Sequence, residues 1–433
     1  MSTPAPPSLA DLAQPAALAD PYPVLARLRE ASPFAAAEGM LYVTGRHHEI
    51  SAILRDPHVS SDRGNSALAA SGGRRAAPTR SFLTLDPPDH TRLRGLVARA
   101  FTARTIARLE PRIRLLADDL LTAAGRDGAP GELDVVEQLA YPLPVRIISE
   151  LLGVPPGDRP RFAGWSARLA HALQPRLGGV TGEASGEIEG LQTARSEFAD
   201  YFRELIARRR REPGDDLLSE LIRAEEEGQR LAEGELIATC ILLLVAGHET
   251  TVSLISNGIL ALLRHPAELA ALRADPGLAA GAVEETLRYD APVQFTSRVV
   301  RGGLHVGRVS VPDGGMVLLL LAAAGRDPEV YDDPGHFDIR RGAAGHLAFA
   351  AGPHFCLGAP LARLEGAIAL ETFAARVRAP ELTEGGLVYR PNMNLRGPQR
   401  LLVRHAGIGA ARPCGPAGTD GTGRTGGTGQ GGR

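Results

Sequence analysis

Apolar residues recur at spacings of three and four over residues 105–121, 196–211, 233–264 and 278–288, which predicts four helices, each with a buried face. Shorter segments read as strands: 40–44, 294–300, 303–311 and 316–321. Within 303–311, His305, Gly307 and Arg308 interleave with Leu304, Val306 and Val309 in the manner of a hairpin, and Pro312-Asp-Gly314 follows as a turn. The pattern predicts a mainly α chain with a small β region, without internal repeats. The longest apolar runs, 236–247 and 316–324, are shorter than the ~20 residues needed to cross a bilayer. Residues 1–18 form a polar, Pro-rich lead, and residues 409–433 a tail rich in Gly, Thr and Arg. The tail has too few large apolar side chains to offset its ordering entropy, so it is expected to be disordered. Residues 19–408 contain no linker-like break and are expected to form one domain.

Composition narrows the function classes. The 433 residues carry 48 basic and 50 acidic side chains, a formal charge of −2, which speaks against a nucleic-acid-wrapping protein. Every basic residue is arginine, so lysine Schiff-base chemistry is excluded. Cys240, Cys356 and Cys414 cannot build a disulfide scaffold and suit a reducing compartment. The lead contains Asp11 and lacks the basic start of a signal peptide. A soluble, cytoplasmic chain without a membrane span is expected. It has no Gly-x-Ser-x-Gly or His-Glu-x-x-His segment, so a hydrolase finds no support.

The most informative segment is Phe349-Ala-Ala-Gly-Pro-His-Phe-Cys-Leu-Gly358, followed by Ala-Pro-Leu-Ala-Arg-Leu-Glu365. It sets Cys356 between a Gly/Pro-rich loop and a helix opened by Pro360. Main-chain N–H groups at such a helix start favour a thiolate. Gly352 and Gly358 let the backbone approach something flat and bulky. A lone cysteine in this setting suits one strong axial bond to iron better than a zinc site, which needs several ligands. Taken without its flanks, it would read as a buried structural cysteine.

Three further groups stand out. Ala246-Gly-His-Glu-Thr-Thr251 interrupts an apolar helix with a glycine, an acid and two hydroxyls, a costly insertion unless these are hydrogen-bonded or near water. Either a kink with satisfied polar groups or a reaction site explains it. Glu285-Thr-Leu-Arg288 can pair on one helix face, as many solvated helices do. Asp86-Pro-Pro-Asp-His-Thr-Arg-Leu-Arg94 begins a helix that puts His90 and Arg94 on one face, either a basic surface turn or two donors converging on a carboxylate.

The cysteine segment resembles the haem-binding signature of the cytochromes P-450, Phe-Gly-x-Gly-x-His-x-Cys-x-Gly. Ala350 stands where the family has Gly, a replacement the turn accommodates only at negative φ. The resemblance extends over about residues 20–405 and implies the family's mainly α prism around a buried haem b (iron protoporphyrin IX). By resemblance, Cys356 is the iron ligand, in a site that includes Phe349, Gly358, Ala246 and Gly247. His90, Arg94, Arg298 and His354 hold the haem carboxylates. The long helix opens near Gly247, and Thr250 with Glu249 delivers protons during oxygen activation. Glu285 and Arg288 form a structural pair whose third member is usually an arginine. His336 stands in that place, implying a weaker or pH-dependent third contact. The implied reaction inserts one atom of O2 into a C–H or C=C bond. Electrons come from NAD(P)H through a separate ferredoxin reductase and ferredoxin, and the enzyme acts as a monomer. Seven arginines and one acid lie between Arg92 and Arg114, and with Arg104 and Arg108 they suggest a docking patch for an acidic ferredoxin. The substrate pocket is expected from segment 60–83 with Leu83, from Leu242, Leu243 and Ala246, from 293–296 with Val293 and Phe295, and from the turn 392–394 with Asn392 and Met393. Such an apolar lining suits a medium or large secondary metabolite of polyketide or macrolide type. A peroxide-using or oxidative-coupling haem-thiolate enzyme and a non-enzymatic haem or ligand carrier are the rival classes.

Overall fold

The long helix Glu233–Arg264 runs as the sequence pattern requires. Glu235 accepts from the Ala232 N–H at 3.0 Å, closing its first turn. His265-Pro266 ends it, because proline cannot continue the hydrogen-bond ladder. In the computed structural model, which describes residues 8–36, 40–67, 69, 81–125, 128–172, 185–226, 232–342 and 345–410, this helix is the central element. It packs against Pro142–Leu151, Pro160–Ala172, Ser185–Arg211, Ala279–Tyr289 and the cysteine helix Ala359–Arg376. It is long and apolar enough to cross a membrane by those measures alone, but 67% of its most apolar window is buried inside the protein.

The helix predicted over 105–121 spans Ala103–Ala124, capped by Thr102 Oγ1 accepting from Thr105 N–H at 3.2 Å. Those predicted over 196–211 and 278–288 are Ser185–Arg211 and Ala279–Tyr289. A five-stranded sheet runs Phe34–Ala36, Leu41–Thr44, Met316–Leu319, Thr296–Val300, Val59–Ser60. Leu41–Thr44 and Met316–Leu319 are parallel, with Leu41 opposite Met316. Thr296–Val300 is antiparallel to Met316–Leu319 and places Arg298 opposite Val317. The expected strand over 303–311 is the hairpin Leu304–Val306 with Val309–Val311. A three-stranded sheet of Glu381–Tyr389, Pro398–His405 and Gly131–Asp134 has no counterpart in the sequence expectations.

The lower boundary of the folded unit moves toward the N-terminus. Residues 8–18 are not a loose lead, because Leu9, Leu12 and Ala17 are buried in a core cluster with Leu28, Phe295 and Met316. Main-chain carbonyls of Leu18 and Ala19 accept from Arg396 at 2.9 and 3.1 Å, which ties this segment to the C-terminal hairpin. Gly409 donates to the Arg376 carbonyl at 2.8 Å, and residues 411–433 of the expected disordered tail lie outside the described residues.

Candidate functional site

Cys356 sits three residues before the cysteine helix, with its N–H bonded to the Phe349 carbonyl at 2.9 Å. Burial pushes the thiol up, while the N–H groups of Gly358 and Ala359 and the charges of Arg94 and Arg363 pull it down. The helix-start amides therefore reach the sulfur as expected but do not outweigh burial. Coordination to a metal ion would remove the proton outright. Gly352 has φ +68° and brings its backbone against the preceding fold, since a Cβ there would lie 2.3 Å from the Leu54 carbonyl. Ala350 departs from expectation: its φ is +57°, in the left-handed region, not at a negative value. The turn keeps the glycine-type conformation although alanine occupies it.

One side of the long helix is less covered than the rest. Leu242, Ala246 and Thr250, each one turn from the next, are only partly covered, whereas Leu243, Leu244, Val245, His248 and Glu249 are buried. Leu357, beside the cysteine, is partly covered against the same apolar cluster as Leu242. The helix does not open at Gly247. Thr250 and Thr251 hydroxyls donate to the Ala246 and Gly247 carbonyls at 2.8 and 3.0 Å, and the helix continues through them. Gly247 instead serves packing, because a Cβ there would meet Ile148 Cγ1 at 3.2 Å.

Glu249 lies ~100° around the helix from Thr250 and, unlike it, is buried, on the flank of the stripe next to Leu242 and Ala246. Arg390, from the far end of the Glu381–Tyr389 strand, donates from Nη1 to its Oε2, and His248 Nε2 is 3.4 Å from its Oε1. Burial raises the Glu249 carboxyl, but His248 and Arg390 together hold it down at about 2. The acid expected to serve with Thr250 is thus a buried, ionised carboxylate clasped by two basic groups.

His90, Arg94, Arg298 and His354 do converge. The His90 and His354 rings are 4.1 Å apart, and Arg94 Nη2 donates to the Phe355 carbonyl at 2.5 Å. His90 is 2% exposed, and neither ring nitrogen has a hydrogen-bond partner among the described residues. Burial, then the positive charges of Arg298, His90 and Arg94, push His354 down to about 3. Burial and Arg63 push Arg298 down to about 10. Asp86 is directed to Ser60 and Ser61, at 2.5 and 2.8 Å, and so anchors the preceding segment. Orphaned imidazole nitrogens within a cationic cluster call for a buried anion, and the carboxylates of a haem fit that need.

Glu285 and Arg288 form a bidentate pair, both bonds 2.7 Å, with side chains 1% and 0% exposed. The third basic residue is Arg341, whose Nε is 3.3 Å from Glu285 Oε1. His336 corrects the expectation: its exposed imidazole is not used, and its carbonyl accepts from Arg288 at 3.0 Å and from Arg341 at 3.1 Å. No pH-dependent third contact arises there. Arg341 could have been found from its place four residues after Phe337; Arg390 carries no such signal.

The expected pocket residues separate. Leu242 lies on the partly covered stripe, while Leu243 is 8% exposed in the core. Phe295 is 1% exposed and packs with Met393 into the N-terminal cluster, so it does not line a cleft. Asn392 spends its amide oxygen on the N–H groups of Asn394 and Leu395, at 2.9 and 2.8 Å. Asn394 likewise accepts from Phe295 N–H at 3.0 Å. Val293 is half-buried and bridges Leu395, and Leu83 is 43% exposed in the Phe82–Thr84 turn. Residues 68 and 70–80 of the expected wall lie outside the described residues.

One sulfur at a helix start, a cationic rim and a partly covered, mostly apolar stripe suit a flat, dianionic macrocycle, which places the chain among haem-thiolate proteins. It belongs to the cytochrome P-450 family, whose model matches residues 37–276 and 278–378. It is 44% identical over 396 residues to the cytochrome P-450 monooxygenase PikC of Streptomyces venezuelae, covering 89% of this chain and 91% of that one. It is 41% identical over 327 residues to the 6-deoxyerythronolide B hydroxylase of Saccharopolyspora erythraea, covering 75% and 78%. The ligand-free crystal structure of Mycobacterium smegmatis CYP164A2 superposes with a TM-score of 0.85 at 49% identity, covering 91% of this chain and 98% of that one. The chain is accordingly a monooxygenase, and membership implies a haem prosthetic group and redox partners.

Proposed function

We propose that this monooxygenase hydroxylates or epoxidises a medium or large apolar secondary metabolite of macrolide or polyketide type. It works as a cytoplasmic monomer with electrons from NAD(P)H through a separate ferredoxin reductase and ferredoxin. The observation that carries the reading is the stripe Leu242, Ala246 and Thr250, the partly uncovered face of an otherwise buried helix, near a cysteine ringed by basic groups. Hydroxylase relatives of macrolide type point to the substrate class.

Cys356 would bind the iron, and His90, Arg94, Arg298 and His354 the carboxylates. The haem, when bound, supplies reductive activation of O2 through its thiolate ligand. The remaining work belongs to the chain. The carbonyl of Ala246 holds the Thr250 hydroxyl in place on the cleft face, where it can pass a proton inward. Ala246 and Leu242 keep that face small and dry, so a bulky apolar molecule can approach. Glu249 acts by fixing the helix and the local field, since its carboxyl is already ionised and held by Arg390.

The absorption spectrum of the dithionite-reduced protein with CO is the direct test. A strongly red-shifted Soret band, lost in Cys356→Ser, is expected. A band typical of histidine-ligated haem would sink the reading. For the partner, Arg104 and Arg108 are exposed and make no ion pair among the described residues, unlike Arg92, Arg112 and Arg114. Reversing both to Glu should weaken ferredoxin-supported turnover and flatten its salt dependence. Unchanged kinetics would remove the docking patch.

A further inference from the structure

Glu284 and Glu285 are adjacent, yet they hold different parts of the molecule. Glu285 faces Arg288 and Arg341, whereas Glu284 faces the cysteine loop and the cysteine helix. Arg363 donates from Nε to Glu284 Oε1 at 2.6 Å and from Nη2 to Oε2 at 3.1 Å. His346 Nε2 is 3.1 Å from the same Oε2. The Ala348 N–H donates to His346 Nδ1 at 3.3 Å, which leaves the ring proton on Nε2 for Glu284, so a neutral imidazole suffices. The Arg363 guanidinium lies 4.6 Å from the centroid of the Phe349 ring, and the His346 ring lies 5.8 Å from it at a tilt. Phe349 in turn accepts the Cys356 N–H through its carbonyl, and its ring shares an apolar cluster with the cysteine. The side chain of His346 is 3% exposed, that of Glu284 27% and that of Arg363 38%, so the cluster is buried at its His346 end and half-buried at Arg363.

We propose that Glu284, Arg363 and His346 are positioning residues that fix Phe349 against the Cys356 loop and, through the Arg363 charge, set the reduction potential of the bound iron. Groups that bond to or sit beside a metal's ligands tune its electronics. A cation near a thiolate ligand favours the form carrying the additional electron, so Arg363 raises the potential. Glu284 partly cancels that charge and lowers it. The two side chains therefore pull in opposite directions, whereas a clamp with a purely mechanical role would not distinguish them.

The inference rests on Cys356 as the iron ligand, and the test separates the two. The CO spectrum of the haem-loaded wild-type chain is taken first, and its failure would fall on the haem-thiolate reading alone. Redox titration of the same holoprotein then compares variants. Arg363→Gln is expected to shift the potential downward. Glu284→Gln, which keeps an amide oxygen for Arg363 but removes the negative charge, is expected to shift it upward. Arg363→Lys keeps the charge and loses the two-pronged fork. Its potential should stay close to wild type, while the red-shifted CO band decays faster because Phe349 is less firmly held. Equal potentials in wild type and both Gln variants, or shifts of the same sign, would overturn the proposal. Should Arg363→Gln fail to retain haem, Glu284→Gln decides alone: a rise supports the proposal, and no change or a fall overturns it.

Discussion

Glu249 stays ionised in a buried setting because Arg390 and His248 outweigh the cost of burial. Its stabilising effect is complete above the unfolded carboxyl value near 4.5 and fades as pH falls toward about 2. Removing the cation should reverse this balance. Arg390→Gln leaves the carboxylate with His248 alone and should cost roughly 2–4 kcal/mol, somewhat less than a fully buried pair because Arg390 keeps some contact with water. The neutral double variant Glu249→Gln/Arg390→Gln should recover part of the loss, since it strands no charge. Infrared difference spectra, with Glu249→Gln as the assignment control, should show the Glu249 carboxylate band lost at higher pH in Arg390→Gln than in wild type. Identical titrations in the two proteins would mean that Arg390 does not govern this group. Nothing local announces the pairing: Arg390 is 141 residues from Glu249, and only the return of the C-terminal hairpin brings it there.

At the scale of elements, legibility follows the range of the forces that make each one. The helix Glu233–Arg264 has its apolar repeat, its cap and its stop in contiguous sequence, and its expected bounds match. The cysteine loop was legible for the same reason. The strand Glu381–Tyr389 was not, because its residues are mostly exposed, a register shift interrupts its pairing, and the third strand of its sheet comes from Gly131–Asp134. The convergence of His90 with His354 followed from resemblance, whereas the diversion of Phe295 and Asn392 from the cleft depended on packing that no short motif encodes. The cysteine loop also yields a contrast between two neighbours. Ala350 bears a left-handed conformation that costs an L-residue about 1–2 kcal/mol. Part of that is offset by the lower unfolded-state entropy of alanine, about 0.4–1 kcal/mol. Ala350→Gly should therefore stabilise the protein by about 0.5–1 kcal/mol in denaturant unfolding. Gly352→Ala should instead impair folding or haem retention, because its Cβ would fall 2.3 Å from the Leu54 carbonyl. A destabilised Ala350→Gly would mean that the methyl group's packing outweighs the strain.

The whole molecule is tied together along the cysteine helix, which touches the helices Ala103–Ala124, Glu233–Arg264, Pro266–Ala274 and Ala279–Tyr289. In the middle of those contacts sits Glu365, 1% exposed, with no hydrogen bond or ion pair among the described residues. Burial alone pushes its carboxyl up to about 8. Glu365 should therefore add its own pH dependence to global stability. Below about 4.5 the folded and unfolded chains both carry the proton, and Glu365 adds no pH dependence. Between about 4.5 and 8 the folded chain retains a proton that the unfolded chain has lost, so stability falls as pH rises. Above about 8 both forms are ionised and the full penalty, on the order of several kcal/mol, remains. Glu365→Gln is a neutral replacement of the same shape. Its stability relative to wild type should rise steadily from pH 4.5 to pH 8 and then level off, read from urea midpoints at constant m-value. The slope decides the matter and not the level, because a glutamine amide left without partners carries its own cost at every pH. A gap that does not change with pH would show that Glu365 keeps one protonation state throughout, and that some group outside the described contacts holds its charge.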